Sequence, residues 1–207
     1  VFVPRPETET VVQFAIDALR SASPAIASNG LDCETPQLIA VDLCTGSGAI
    51  ALAIVNEVAG VRVWAVEKSV EAHAWASRNV ARLGDGRVEL LLGDVVDAGQ
   101  LLERLLGKVD VLISNPPYVP SAMVPRDPEV RDRDPALALY SGEDGLDLIR
   151  VLSKVGLSLV APGGSLVLEH AEQQGAAIRS LLLADGWHTP ETHQDLNLRD
   201  RATTAIR

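Results

Sequence analysis

The feature that most constrains the fold of this chain is a regular alternation of short apolar runs with helical segments. Five runs lack the polar residue at every second position that marks a half-exposed strand: residues 38–43, 61–66, 87–92, 109–114 and 165–170. Strands covered by helices on both faces have this uniform character, and strands that alternate with helices form parallel units with right-handed crossovers. The pattern therefore predicts an α/β fold. Two weaker strand candidates follow, near 187–193 and 201–206.

The segments around these runs have helical periodicity. The first is 7–22, where apolar residues at positions 11, 12, 15, 16 and 19 form one face of a helix. Further helical segments are predicted at 49–58, 69–83, 97–106, 145–160 and 171–186. Residues 21–37 and 126–135 are rich in turn-forming or charged residues, and both are predicted to be loops. The second loop is either a solvated connection, or a lid or substrate-contact segment at a site.

Composition narrows the classes of protein that fit. The 207 residues are 47% hydrophobic with a formal charge of −10, which suits a globular chain with a sizeable core. No Lys/Arg cluster offsets the acidic balance, so no direct nucleic-acid partner is expected. No apolar stretch approaches a membrane span and no signal peptide is visible. Cys33 and Cys44 are interpreted as free thiols in a reducing compartment, which predicts a cytoplasmic protein.

Ligands of open parallel sheets bind at the carboxyl ends of the strands, and the first predicted strand runs directly into a glycine turn. The turn residues Cys44, Thr45, Gly46, Ser47 and Gly48 precede a helix whose free N–H groups favour an anionic group. The spacing matches neither the G-x-G-x-x-G fingerprint nor a P-loop. Taken alone, the turn is equally compatible with a plain connection between strand and helix.

Acidic residues follow the next two strands. Glu67 lies about 20 residues after the glycine turn, the offset of an acid that binds a ribose. Asp94 could accept a hydrogen bond from an adenine amino group, and Val95 could lie against the purine. Each acid could instead cap the helix that follows it. In combination with the glycine turn, they favour a nucleoside ligand.

A stiff tetrad, Asn115-Pro116-Pro117-Tyr118, follows the fourth strand. Its two prolines fix the backbone and remove two donors. A simple Pro-containing turn is the alternative. Four neighbouring strands thus end in a glycine turn, two acids and this tetrad, which together predict one site.

On these residues the chain resembles class I S-adenosylmethionine-dependent methyltransferases and, within them, the HemK/PrmC family that methylates the glutamine of the Gly-Gly-Gln motif in peptide-chain release factors. The resemblance covers nearly the whole chain. It is carried by VFVPRPETE (1–9), DLCTGSGAIALAI (42–54), ISNPPYVP (113–120), ALYSGEDGLDLIR (138–150) and LVLEHAEQQG (166–175). The first and fourth stretches are the most specific, since the tetrad also occurs in enzymes that methylate adenine or guanine amino groups.

The resemblance implies a three-layer, doubly wound sheet of seven strands, mostly parallel with the last antiparallel. It implies S-adenosyl-L-methionine as cofactor and a release factor as protein substrate. The Asn115 side-chain oxygen and the Pro116 carbonyl would accept the two N–H groups of the substrate amide, with Pro117 adding rigidity and Tyr118 forming a wall of the pocket. Asn115 would then also lie beside the cofactor. Since the proton can leave after methylation, no histidine and no metal is assigned a role.

The same resemblance sets the expected domain organisation. Residues 1–36 would be a leading helix and linker and 37–207 the methyltransferase domain, with the family's N-terminal release-factor-binding helical domain absent and the chain a monomer. Arg5 and Thr8 are candidates to close over the cofactor, whereas Glu169 and His170 are interpreted as structural. Cys44 stands where many relatives have glycine, and we expect cofactor binding to survive it.

Three alternative functions remain open at the level of sequence. One is an amino-group methyltransferase of nucleic acid, disfavoured by the charge, and a second is a methyltransferase of a ribosomal-protein glutamine. The third is a module that binds S-adenosylmethionine without turnover, which Cys44 and the expected missing domain make conceivable.

Overall fold

The computed structural model describes residues 1–22, 37–124 and 128–207. The seven strands are β1 (Ile39–Leu43), β2 (Arg62–Glu67), β3 (Val88–Leu92), β4 (Val109–Ser114), β5 (Val160–Glu169), β6 (His188–Gln194) and β7 (Asp200–Ile206). The helices are α1 (Pro6–Ala22), α2 (Ala49–Glu57), α3 (Val70–Leu83), α4 (Ala98–Leu101), α5 (Pro128–Arg133), α6 (Ala136–Leu139), α7 (Asp147–Leu159) and α8 (Gly175–Asp185). No helix within these ranges is long and apolar enough to cross a membrane.

The strands form one sheet in the order β3-β2-β1-β4-β5-β7-β6. The first five strands run parallel, and β7 pairs antiparallel with both β5 and β6. The predicted fold class is therefore confirmed, including the antiparallel last strand. The order reverses between β1 and β4, and such a switch point opens a crevice beyond the carboxyl ends of the strands.

Two apolar clusters cover the two faces of the sheet. In β1, Ala40 packs with α1 and α2 on one face, whereas Val41 and Leu43 pack with α4, α7 and α8 on the other. In β4, Val111 and Leu112 divide between the faces in the same way. This alternation explains why the central strands contain no regular polar position: both faces are buried, and each fully buried large apolar side chain contributes roughly 1.5–3 kcal/mol.

Three expectations about elements are wrong in detail. The segment 97–106 is not one helix but α4 flanked by the 3₁₀ turns Val95–Asp97 and Glu103–Leu105. It ends where the N–H groups of Gly107 and Lys108 bond to carbonyls at the end of α7, a tertiary contact that replaces further helical turns. The loop expected at 126–135 contains α5. Strand β3 is an edge strand, and its side chains are only partly buried.

Strand β5 is longer than expected, because it begins at Val160 rather than 165. Pro162, Gly163 and Gly164 are typical of a turn, but the strand pairs with β4 through a register shift between Val109 and Val111. A cross-strand contact thus overrides the local preference for a turn. Most of the loop predicted at 21–37, including Cys33, lies outside the described residues.

Candidate active site

A cavity of about 910 Å³ opens beyond the carboxyl ends of β1 to β5. The predicted site residues that line it are Cys44, Thr45, Gly46, Ser47, Glu67, Asp94, Val95, Asn115, Pro117 and Tyr118. Gly48 and Pro116 do not line the cavity: Gly48 is the residue before α2, and Pro116, the second residue of the tetrad, is buried. The structure thus brings the four predicted signals together at one place.

The glycine turn has a left-handed backbone at three alternate positions. Cys44, Gly46 and Gly48 have φ angles of 65°, 59° and 82°. A Cβ atom on Gly46 would meet nothing within 4 Å, so open space lies in front of this backbone. Gly48, the residue before α2, provides no side-chain cap, and a helix of this length presents N–H donors and a partial positive charge at its N-terminus.

Asp42 accepts hydrogen bonds from the glycine turn and from α2, a role that we did not predict. Its Oδ2 accepts a hydrogen bond from the Thr45 hydroxyl at 2.5 Å and one from the Ala51 N–H at 3.2 Å. Burial raises the pKa of this carboxyl to about 7, against the lowering effect of those two bonds. The signal that could have indicated it is a carboxylate within a buried strand, two residues before the turn.

Glu67 binds the same turn from β2. One carboxylate oxygen accepts the N–H of Gly46 at 2.8 Å and the other accepts the N–H of Ser69 at 2.7 Å. A carboxylate has about four acceptor positions, so both oxygens keep capacity for hydroxyl groups of a ligand. Glu67 therefore joins the turn to the start of α3 and still faces the cavity.

Asp94 follows β3 and lies beside Lys68. The Lys68 ammonium contacts its carboxylate at 2.6 Å, and the Val96 N–H donates to it at 3.3 Å. Burial tends to raise the pKa of Asp94, but these contacts hold the pKa below its ordinary value. The helix-capping role and the ligand-facing position were offered as alternatives for Asp94, and the residue has both features.

The tetrad is held by two residues that follow later in the chain. The Gln174 amide nitrogen donates to the carbonyls of Tyr118 and Asp144 at 2.9 and 3.2 Å. Gly145 has a φ of 77°, and a Cβ there would come within 2.2 Å of the Tyr118 carbonyl oxygen. These contacts explain why glycine occurs at 145 in the stretch 138–150 and glutamine at 174 in the stretch 166–175.

Asn115 is linked to α1 and β5. Its amide nitrogen donates to the Thr8 hydroxyl oxygen at 3.3 Å, and the Thr8 hydroxyl donates to a Glu169 carboxylate oxygen at 2.8 Å. Thr8 and Glu169 also line the cavity. The interpretation of Glu169 as purely structural is therefore incomplete, whereas His170 is fully buried and bonds to Thr203.

The N-terminal segment and the segment around α6 border the other side of the cavity. Arg5 and Asp134 form an ion pair at 2.9 Å, in which the Asp134 side chain is only 5% exposed. Phe2 lies under the Arg5 guanidinium, 5.4 Å from ring centroid to carbon. Phe2, Arg5, Val130 and Pro135 all line the cavity, so the described part of the segment 126–135 borders the site.

The size and lining of this cavity suit a small organic ligand. The described part of the chain contains no cluster of three or more His, Cys, Asp or Glu residues that could hold a metal. The volume falls within the range of small-molecule sites. Hydrogen-bond acceptors at Glu67 and Asp94 and open space at Gly46 fit a nucleoside, and the nearby amide of Asn115 provides polar contacts for a second group.

Comparison with known proteins agrees with this geometry. Residues 9–126 match the Methyltransferase small domain family. The chain is 48% identical to the release factor glutamine methyltransferase of Streptomyces coelicolor, over 99% of this chain and 68% of the relative. It is 41% identical to the protein of the same name from Bifidobacterium longum, over 100% of this chain and 68% of the relative. The chain belongs to the release factor glutamine methyltransferase family.

One similar protein has a name that refers to a different methyl acceptor. A 4-amino-L-phenylalanine/4-methylamino-L-phenylalanine methyltransferase of Streptomyces pristinaespiralis is 38% identical, over 100% of this chain and 66% of the relative. The chain thus spans about two thirds of the length of these relatives. Among solved structures, a predicted O-methyltransferase from Agrobacterium tumefaciens has a TM-score of 0.61 and 19% identity, over 92% of this chain and 78% of that chain. That last similarity concerns the fold alone.

Proposed function

We propose that this protein transfers a methyl group from S-adenosyl-L-methionine to the side-chain amide nitrogen of the glutamine in the Gly-Gly-Gln motif of peptide-chain release factors. The observation that carries the proposal is the Asn115 tetrad beside the glycine turn in one cavity, in a chain 48% identical to an enzyme of that name. We further propose that it acts in the cytoplasm as a monomer, with 37–207 as the methyltransferase domain and without direct contact to nucleic acid.

The cofactor is proposed to bind across the glycine turn. Its ribose hydroxyls would donate to Glu67, its adenine would lie between Asp94 and Val95, and its charged amino-acid end would lie near Thr45 to Gly48 and the start of α2. When bound, it supplies an electrophilic methyl group on a sulfonium. Cys44 would contact it through a neutral thiol, because burial and the nearby Glu67 charge raise the pKa of Cys44 to about 12.

The tetrad is proposed to orient the acceptor. An amide nitrogen is a weak nucleophile, because its lone pair is delocalised into the carbonyl. Acceptance of its two N–H groups by the Asn115 oxygen and the Pro116 carbonyl would fix the nitrogen and stabilise the positive charge that develops on it. Tyr118 would pack against the flat amide as a neutral phenol, since burial and the charge of Glu169 raise its pKa to about 12.

The test is methyl transfer from labelled S-adenosyl-L-methionine to a purified release factor. Label is expected on the wild-type factor and not on a factor with Gln→Ala in the Gly-Gly-Gln motif. Asn115→Ala is expected to reduce kcat by about 100-fold or more, the range for loss of a donor or acceptor at a reacting group. Asn56→Ala, a surface change on α2, is the matched control and should retain full activity.

A second acceptor class is favoured by one specific observation, the 38% identical relative named for 4-amino-L-phenylalanine. An aromatic amine also presents two N–H groups, so the same tetrad could orient it. The assay therefore includes 4-aminophenylalanine as acceptor beside the release factor. Label on the amine alone would replace the proposed substrate, and cofactor binding without label on either acceptor would favour a module without turnover.

A further inference from the structure

Three side chains from distant parts of the chain form a hydrogen-bonded series that ends at the tetrad. The Thr8 hydroxyl is 2.8 Å from Glu169 and lies 161 residues away in sequence, and the Asn115 amide nitrogen is 3.3 Å from Thr8. Thr8 is 8% exposed and Glu169 is 2% exposed, so water does not compete strongly for these bonds. The direction of each bond is therefore set mainly by the donors and acceptors of the protein rather than by solvent.

The direction of the series follows from the chemistry of its last member. An ionised carboxylate accepts hydrogen bonds and cannot donate them. The single Thr8 hydrogen must then point to Glu169, which leaves the Thr8 oxygen free only to accept. An acceptor at this position binds the NH₂ end of the Asn115 amide and rejects its oxygen end. The Asn115 oxygen is thereby left for a ligand in the cavity that Asn115 lines.

We propose that Glu169 is a positioning residue which, through Thr8, fixes the orientation of the Asn115 amide so that its oxygen faces the methyl acceptor. The proposal rests on the proposed function, because that function needs an acceptor and not a donor at Asn115. The two ends of a primary amide are nearly equal in shape, so packing alone discriminates between them poorly. The buried carboxylate of Glu169, two hydrogen bonds away, distinguishes the oxygen end from the NH₂ end because it fixes the direction of both hydrogen bonds.

The surroundings of Glu169 make this polarity dependent on pH. Burial raises the pKa of Glu169 to about 7. The hydrogen bond from Thr8, the positive charge of Arg201 on β7 and the nearby Asn115 amide oppose the rise, whereas Glu7 on α1 adds to it. The Tyr118 phenol also lies close enough for the charge of Glu169 to raise its pKa, and it stays neutral. A protonated Glu169 can donate to Thr8, and the Thr8 hydroxyl can then donate to the Asn115 oxygen. Protonation thus reverses the series.

The first experiment compares variants of nearly equal shape. Glu169→Gln and Thr8→Val should lower kcat by about 10- to 100-fold, a range typical of lost positioning at a reacting group. Both should lower kcat much more than the affinity for S-adenosyl-L-methionine, because the glycine turn is unchanged. Thr8→Ser keeps the hydroxyl and should retain most of the activity. Wild-type kcat in Glu169→Gln, or equal losses in Thr8→Ser and Thr8→Val, would overturn the proposal.

The second experiment needs no acceptor substrate. In ¹⁵N-labelled protein, the side-chain NH₂ resonances of Asn115 should shift with pH with a midpoint near 7, and Glu169→Gln should abolish the shift. Asp42→Asn is the control, since burial raises the pKa of Asp42 to about the same value but Asp42 contacts neither Thr8 nor Asn115. A shift that persists in Glu169→Gln would refute the positioning role. The result stands even if the release factor is not the acceptor.

Discussion

At the scale of single residues, Cys44 has a backbone conformation that favours glycine. A φ of 65° is the left-handed region, which costs an ordinary residue roughly 1–2 kcal/mol relative to a right-handed one. The side chain offsets part of this cost by packing against the apolar cluster on the α7 face of the sheet. The turn thus accommodates a cysteine at a position where many relatives have glycine.

The same burial predicts an unreactive thiol. Since the pKa of Cys44 is raised to about 12, the thiolate is scarce at pH 8, and only the thiolate is nucleophilic. Alkylation of Cys44 by iodoacetamide at pH 8 should be at least about 100-fold slower than that of a free cysteine, and unfolding in urea should restore the ordinary rate. Peptide mass mapping distinguishes Cys44 from Cys33. Rapid labelling of Cys44 in the folded protein would show that its thiol is not perturbed as described.

At the scale of elements, the loop that follows β4 depends on the segment that leads into α7. Gly145 lets the backbone pass close to the Tyr118 carbonyl, and Gln174 bonds to the same carbonyl from the turn before α8. The tetrad is thus held by two neighbouring connections rather than by its prolines alone. Rigidity that the sequence attributed to Pro116 and Pro117 is shared with these tertiary contacts.

Gly145→Ala tests this dependence. The new Cβ would lie 2.2 Å from the Tyr118 oxygen and 2.7 Å from the Gln174 amide nitrogen, so the loop must move. We expect a loss of several kcal/mol in unfolding free energy, from left-handed strain and overpacking together, and a larger loss of kcat than of cofactor affinity. Activity, isothermal titration and urea unfolding measure the three quantities.

Gly60→Ala is the matched control for the previous change. Gly60 has a φ of 73°, and a Cβ there meets nothing within 4 Å. It should therefore show only the left-handed strain, about 1–2 kcal/mol, with unchanged kcat. Equal effects of the two changes would mean that contact with the tetrad contributes nothing beyond backbone strain.

At the scale of the whole molecule, stability depends on pH through two buried carboxyl groups at the site, Asp42 and Glu169. Burial raises the pKa of both Asp42 and Glu169 to about 7. In the unfolded chain these groups ionise near their ordinary values, about 4. Between pH 4 and 7 the folded state therefore binds more protons than the unfolded state, and stability falls as pH rises through this window. The proposed mechanism requires an ionised Glu169, and this ionisation lowers the free energy of unfolding.

Asp42→Asn should make this dependence weaker. The amide keeps an oxygen to accept from Thr45 and Ala51 but does not titrate. From pH 5 to pH 8 the unfolding free energy of wild type should fall by about 2–3 kcal/mol more than that of the variant. Asp17→Asn removes one exposed negative charge from α1 and serves as control. Parallel pH profiles in urea for wild type and Asp42→Asn would contradict the assigned burial effect.

Local patterns were sufficient to predict the α/β fold class and to indicate residues that line one cavity. Uniformly apolar strands, a helical repeat in 7–22 and residues placed directly after strands depend on neighbours in sequence, and the structure has each of them. Predictions failed where a distant contact outweighed local preference, as in the broken helix over 97–106 and the strand that passes through Pro162 to Gly164. Those contacts join residues that are far apart in sequence, so a local stretch of about ten residues does not indicate them.

The sequence by itself determined that a parallel sheet carries a glycine turn, two acids and the Asn115 tetrad at one edge, because strand ends and periodicity are local properties of the chain. Only the tertiary structure decided what holds these groups. Arg5 meets Asp134 across 129 residues, Asn115 meets Thr8 across 107, and Thr8 meets Glu169 across 161. Such pairings follow from the order in which strands associate and from the burial that this produces, which no short stretch of sequence encodes.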